Sequence, residues 1–177
     1  MSGDGVECEL LERNLPFLVT RKKEAAMKIT NFEKDVIESF VLEKYSEKKL
    51  QGLNISEIEI ENDDDYSIVG FSRYYKKNKH SKFDKKGICE WANPISIQVN
   101  RKIELNVTIF INDGHLDYIY FDADDGDWEN NIKSIEIERY KEVNRKEGFA
   151  NWIKDKVIFS KSYDEPERIN FVSKEPS

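Results

Sequence analysis

The stretch Ile103-Glu-Leu-Asn-Val-Thr-Ile-Phe-Ile-Asn-Asp-Gly-His-Leu-Asp-Tyr-Ile-Tyr-Phe-Asp122 decides the fold. Ile103, Leu105, Val107, Ile109 and Ile111 alternate with polar or mixed residues, the period of a strand with one buried face. Asp113-Gly114 supplies the two positive-φ positions of a tight hairpin turn. Leu116 to Asp122 then returns along the first strand. A two-residue turn predicts Ile111 opposite Leu116, Ile109 opposite Tyr118 and Val107 opposite Tyr120 on one apolar face, with Phe110 opposite Asp117 on the other. A slip of one residue would expose the whole apolar set, so the register is well specified.

Upstream, Thr30-Asn-Phe-Glu33 is a capping box, in which the Thr30 hydroxyl and the Glu33 carboxylate each serve the other's backbone amide. Phe32, Val36, Ile37, Phe40 and Val41 follow at helical spacing and form one apolar stripe. The helix is expected to end near Lys49, with Gly52 just beyond. After Gly52 the period becomes two. Leu53 and Ile55 alternate in one phase and Ile58 and Ile60 in the other, which predicts a bulge or bend around Ser56-Glu57. Asn62-Asp-Asp-Asp65 reads as a loop and Tyr66 to Tyr75 as a strand with Gly70 inside it. Downstream of the hairpin, Ile132 to Tyr140 reads as strand or helix, with Ile135 and Ile137 favouring a strand. A short helix is expected over 148–154, and short strands at 157–159 and 169–172. The whole is an α+β chain: an N-terminal helix or helices, then a mostly antiparallel sheet.

The chain of 177 residues suits one domain. Residues 27–177 read as that domain, and 1–26 as an N-terminal extension or a helical arm. Aromatics, with 10 Phe, 8 Tyr and 3 Trp, compensate a hydrophobic share of only 38%, because each buries a large area. Cys8 and Cys89 lie far apart and form no Cys-x-x-Cys, which points to a reducing, cytoplasmic setting without a disulfide framework. No apolar run approaches the ~20 residues of a membrane span. The opening residues lack the basic and apolar regions of a signal peptide.

Little in the sequence points to catalysis. His80 and His115 have no metal-ligand spacing with each other or with the cysteines. A Cys89 nucleophile with a His115 base has no local support. There is no glycine-rich phosphate loop, so no cofactor is expected. Setting Gly126 at the sixth position of a calcium loop puts Phe121 and Ala123 at ligand positions, and the match fails.

Charge patterning is the distinctive feature. From Asp113 to Glu129 the chain carries seven acidic side chains and no Lys or Arg; from Arg73 to Lys86 it carries seven basic ones and a single Asp. The strip Asp122, Asp124, Asp125, Asp127, Trp128 and Glu129 is a candidate partner-binding surface. Trp is enriched at interface hot spots, and carboxylates speed encounter with a basic partner. The alternative is a solvated loop with Trp128 tucked into the core. The basic stretch, interleaved with Tyr74, Tyr75 and Phe83, could in principle touch phosphate and stack on bases. The net charge of −7 argues against direct nucleic-acid binding.

Three segments taken together are Ile29-Thr-Asn-Phe-Glu-Lys-Asp-Val-Ile-Glu38, Val69-Gly-Phe-Ser-Arg-Tyr-Tyr75, and Ile109-Phe-Ile-Asn-Asp-Gly-His-Leu-Asp-Tyr118 followed by Asp125-Gly-Asp-Trp128. Their order, spanning roughly 27–132, resembles small bacterial cytoplasmic immunity proteins, including those of contact-dependent inhibition systems. The resemblance implies a non-catalytic inhibitor whose partner is a cognate protein toxin with a basic surface, such as a nuclease domain. Two other classes remain open: a small enzyme using Asp122, Asp124 or Asp127 as acid/base groups, and a regulatory or structural domain of a larger assembly.

Overall fold

A computed structural model describes residues 26–45, 47–65, 70–83, 88–92, 96–123, 127–142 and 154–172. Helices α1 (Asn31–Lys44) and α2 (Glu47–Gln51) precede strands β1 (Ile60–Asp65), β2 (Gly70–Tyr75), β3 (Ile88–Ala92), β4 (Ser96–Val99), β5 (Ile103–Asn112), β6 (His115–Ala123), β7 (Ile132–Glu142) and β8 (Lys154–Glu167). The strands form one sheet in the order β1-β2-β6-β5-β4-β7-β8, with β3 also pairing along β5. Every ladder between strands is antiparallel. The arrangement is α+β, and no helix among the described residues is long and apolar enough to cross a membrane.

The capping box starts α1 as its sequence dictates. Glu33 N donates to Thr30 Oγ1 at 3.2 Å and Thr30 N donates to Glu33 Oε2 at 2.8 Å. The stripe Phe32, Val36, Ile37, Phe40 and Val41 is fully buried against the sheet. The helix does not run on to Lys49. It stops at Lys44, where Tyr45 leaves helical geometry, and α2 resumes the turn to Gln51.

The hairpin turn is as read: Asp113 and Gly114 take φ of 50° and 75°, and Ile111 faces Leu116. Beyond that pair the straight register fails. A bulge at Asp117 shifts the return strand, so Phe110 faces Tyr118, Ile109 faces Ile119 and Val107 faces Phe121. The physical reason is visible in β6 itself. Leu116, Ile119, Phe121 and Ala123 are all buried, and a strand that buries both 116 and 119 must carry one extra residue between them. Tyr118 and Tyr120, expected inward, therefore point away from the core.

Other expectations are corrected. Residues 62–65 are part of β1, because Asp63 turns inward to meet Arg73 and is no loop carboxylate. The phase change at Ser56-Glu57 is a 3-10 turn over Ile55–Glu57, which buries Ile55 and Ile58 together. Residues 157–159 belong to the single long β8, and 169–172 form no strand. Residues 1–25, 66–69 and 143–153, which hold the proposed arm, the start of one expected strand and most of the expected short helix, lie outside the described residues.

α1 also grips the far side of the sheet. Asp35 accepts from Lys161 Nζ at 2.8 Å and from the Tyr163 hydroxyl at 2.8 Å, tying the helix to β8. Burial, then the hydrogen bond to Asp35, pushes the Tyr163 hydroxyl well above its usual range. Tyr163 reaches this position because residues 163–166 swell out of the ladder between the Ser162–Ser134 and Glu167–Ile132 pairs.

Candidate functional site

The two faces of the sheet differ in chemistry. The inner face carries the core and the helices. Within it lies a buried charge network built on Arg73, which is 0% exposed. Its guanidinium donates from Nε to Asp63 Oδ1 at 2.7 Å, from Nη2 to Asp63 Oδ2 at 3.0 Å, and from Nη1 to Glu33 Oε1 at 3.0 Å. Nη2 also donates to the Asn170 carbonyl at 2.8 Å. Asp63 Oδ2 in turn accepts from Val172 N at 2.7 Å, and Tyr75 donates to Glu33 Oε1 at 3.3 Å.

Burial by itself would lower the Arg73 pKa. The Glu33 and Asp63 carboxylates outweigh it and hold the guanidinium above its ordinary value. Burial and then the Glu33 charge drive the Tyr75 hydroxyl well above its normal range. Each buried charge here has a geometric partner, which is how a low-dielectric interior tolerates ions. The network joins α1, β1, β2 and the segment 168–172. Arg73, counted in the basic stretch by sequence, is therefore a core residue. Tyr75 and Phe83 are likewise buried, so neither offers a face for stacking bases.

The outer face has no described helix on it and presents rows of side chains set by the ladders. One row runs Asn62–Tyr74–Tyr118–Phe110 across β1, β2, β6 and β5. Tyr74 and Tyr118 have ring centroids 5.4 Å apart, and Tyr118 stacks on Phe110 at 5.2 Å. All three aromatics are half-buried. The next row is Asp64–Ser72–Tyr120–Thr108. The third places Asp122 between Gly70 and Asn106, and beyond it lies Glu104–Gln98–Glu136. Gly70 makes room for Tyr120: a Cβ there would lie 2.6 Å from the Phe121 carbonyl and 3.0 Å from the Tyr120 hydroxyl. The result is an aromatic patch bordered by the carboxylates of Asp64, Asp122, Glu104 and Glu136.

The strip expected from sequence is divided by the fold. Asp122 is on this outer face, alternating with buried Phe121 and Ala123. Asp127 is exposed, with φ of 63°, at the start of the 3-10 turn Trp128–Asn130. Glu129 is half-buried, and its carbonyl accepts from Ile169 N at 2.9 Å. Trp128 is no surface anchor. It is 3% exposed and packs against Phe32, Phe71 and Phe121 at 5.8, 6.0 and 5.9 Å, because the indole completes the core beneath α1. Asp124 and Asp125 lie outside the described residues, as does Cys8.

Sequence reasoning missed that Tyr118 and Tyr120 join Tyr74 and Phe110 on one face. The signal was the bulge, since only a shifted β6 register turns Tyr118 and Tyr120 to the face that Phe110 already occupied. No family model, curated protein or solved structure matches this chain.

Proposed function

We propose that this protein is a cytoplasmic, toxin-neutralising immunity protein, which binds a cognate toxin with a basic surface and occludes it stoichiometrically, without catalysis. The observation that carries this reading is the Tyr74–Tyr118–Phe110 row on the outer face of the sheet, half-buried and edged by carboxylates. Aromatic residues at the centre of a patch with a polar rim are the anatomy of a protein interface. Carboxylates at the rim suit a toxin whose own site is basic, as the phosphate-binding cleft of a nuclease is. The net charge of −7 favours long-range attraction to such a partner. Asp122 belongs to the outer face and is also the first residue of the acidic stretch 122–129.

The test uses the purified chain and any toxin domain encoded beside its gene. A stoichiometric complex that blocks toxin activity, and that Tyr118→Ala weakens without unfolding the protein, is the expected result. Absence of any complex with that toxin, or inhibition at far below one equivalent, would sink the proposal.

A further inference from the structure

Strand β8 ends the sheet, and among the described residues it is laddered only to β7. Its middle is apolar and open: Ile158 is 52% exposed and Phe159 36%. These neighbours point to opposite faces. Phe159 lies beside buried Ile137 and extends the core face, while Ile158 lies beside Glu138 and extends the outer face. A helix or loop laid on either face would cover one and leave the other in water. A strand added at the edge flanks both, and an exposed apolar edge is a template for such pairing.

We infer that the strand added here is β8 of a second copy, paired antiparallel about a two-fold axis near Ile158. The polarity of the strand's charge selects this occupant. Lys154 and Lys156 flank Asp155 at its start, a net charge of +1; Lys161 precedes Asp164, Glu165 and Glu167 at its end, a net charge of −2. Antiparallel self-pairing carries the basic end of each copy toward the acidic end of the other, whereas parallel pairing would set like charges together. Residues 163–166 leave the ladder, so the straight run is 154–162, whose centre is Ile158. A two-fold there places Ile158 against the second copy's Ile158, and Val157 against the second copy's Phe159. Apolar residues thus meet on both faces in one isologous contact. Lys156 bonds Glu138 within its own copy, which holds its ammonium on the outer face at the strand's basic end. Asp164 and Glu165 are exposed. The inference is independent of the toxin-binding reading, whose aromatic row lies on β2, β6 and β5.

Sedimentation of the full chain over a concentration series tests it. The expected result is a reversible dimer, with Ile158→Lys raising the dimer Kd by at least about tenfold while the circular dichroism and melting temperature stay near those of the parent. Ile158 is half exposed and lies on the outer face beside Glu138, away from the core. A second variant, Asp164→Lys with Glu165→Lys, is expected to weaken the dimer and to reduce its sensitivity to salt. A monomer at every concentration would overturn the inference. If such a monomer also showed exchange-protected amides at Ile158 and Phe159, a segment of the same chain would be the occupant instead. A dimer indifferent to both variants would place the contact elsewhere and overturn it equally.

Discussion

Arg73 and Asp63 are joined by two parallel hydrogen bonds, Nε to Oδ1 at 2.7 Å and Nη2 to Oδ2 at 3.0 Å, between the first two strands of the sheet. The fork geometry fits a carboxylate and is the strongest form of side-chain ion pairing. Its value to the fold lies in what removal leaves behind. Arg73→Met strands the Asp63 and Glu33 carboxylates without their cation, and breaking a buried pair in this way costs about 3–5 kcal/mol. Arg73→Met combined with Asp63→Leu removes the stranded Asp63 charge and is expected to recover part of that loss. It will not recover all of it, because Glu33 stays without its cation and Asp63 also anchors Val172 N. Urea midpoints of the parent, single and double variants check this. A double variant no more stable than the single one would show that the stranded Asp63 carboxylate is not the source of the cost.

The same network makes the protein sensitive to alkali. Tyr75 has its pKa raised well above the ordinary 10.0 by burial and then by Glu33. Below that ordinary value both folded and unfolded chains hold the proton, and the contribution is intact. Above it the unfolded chain ionises first, so stability falls as pH rises from about 10 toward the folded-state value. The slope from one such group reaches about 1.4 kcal/mol per pH unit. Tyr163 acts in the same direction. Tyr75→Phe is therefore expected to flatten the alkaline decline in the denaturation midpoint without abolishing it. An identical decline in parent and variant would remove Tyr75 as a cause.

The β5–β6 turn depends on Gly114, whose φ of 75° is a conformation that β-branched residues resist. Gly114→Val is expected to destabilise the protein by more than ~1 kcal/mol, within the range for a strained backbone position. The hairpin tip also carries contacts to the preceding loop: Phe83 N donates to the Gly114 carbonyl, and Leu116 N to that of Ser81, each at 2.7 Å. A loss of hydrogen-exchange protection at Phe83 should accompany the shift. An unchanged midpoint would contradict the turn geometry.

Local signals in the sequence were sufficient for some elements and insufficient for placement. The capping box, the α1 stripe and the Asp113-Gly114 turn are short-range codes, and each stands as read. Asp63 was misread because a run of acids looks solvated until its partner, ten residues on, is brought across a ladder. Tyr118 and Tyr120 were misread because a bulge changes facing without changing composition. The spacing of Leu116 from Ile119 was its one local trace. Trp128 is undecidable by composition alone, since an indole beside carboxylates serves a core or an interface equally well. Its burial follows from Phe32, Phe71 and Phe121 meeting at one point, a long-range fact.

The binding face makes a kinetic prediction that separates its parts. Carboxylates at a rim act mainly on encounter, and aromatic contacts at a centre act mainly on dissociation. Asp122→Lys with Glu104→Lys is expected to slow association with a basic toxin at low salt by about tenfold or more, within the range that steering supplies. The difference from the parent should shrink as salt rises, because the Debye length falls to about 8 Å near physiological ionic strength. Reversing Asp124, Asp125 and Asp127 to Lys is expected to act in the same direction if the strip joins the field of this face. Folding should survive, since surface ion pairs are typically worth only ~0–1 kcal/mol. Tyr118→Ala is expected to leave association nearly unchanged and to hasten dissociation, because Tyr118 is the middle ring between Tyr74 and Phe110. Stopped-flow mixing at two salt concentrations reads both rates. A Tyr118→Ala protein that dissociates at the parent's rate would take the aromatic row out of the interface, whatever the carboxylates do. A strip variant with the parent's association rate and salt slope would take residues 124–127 out of it and leave Asp122 and Glu104 as the steering charges.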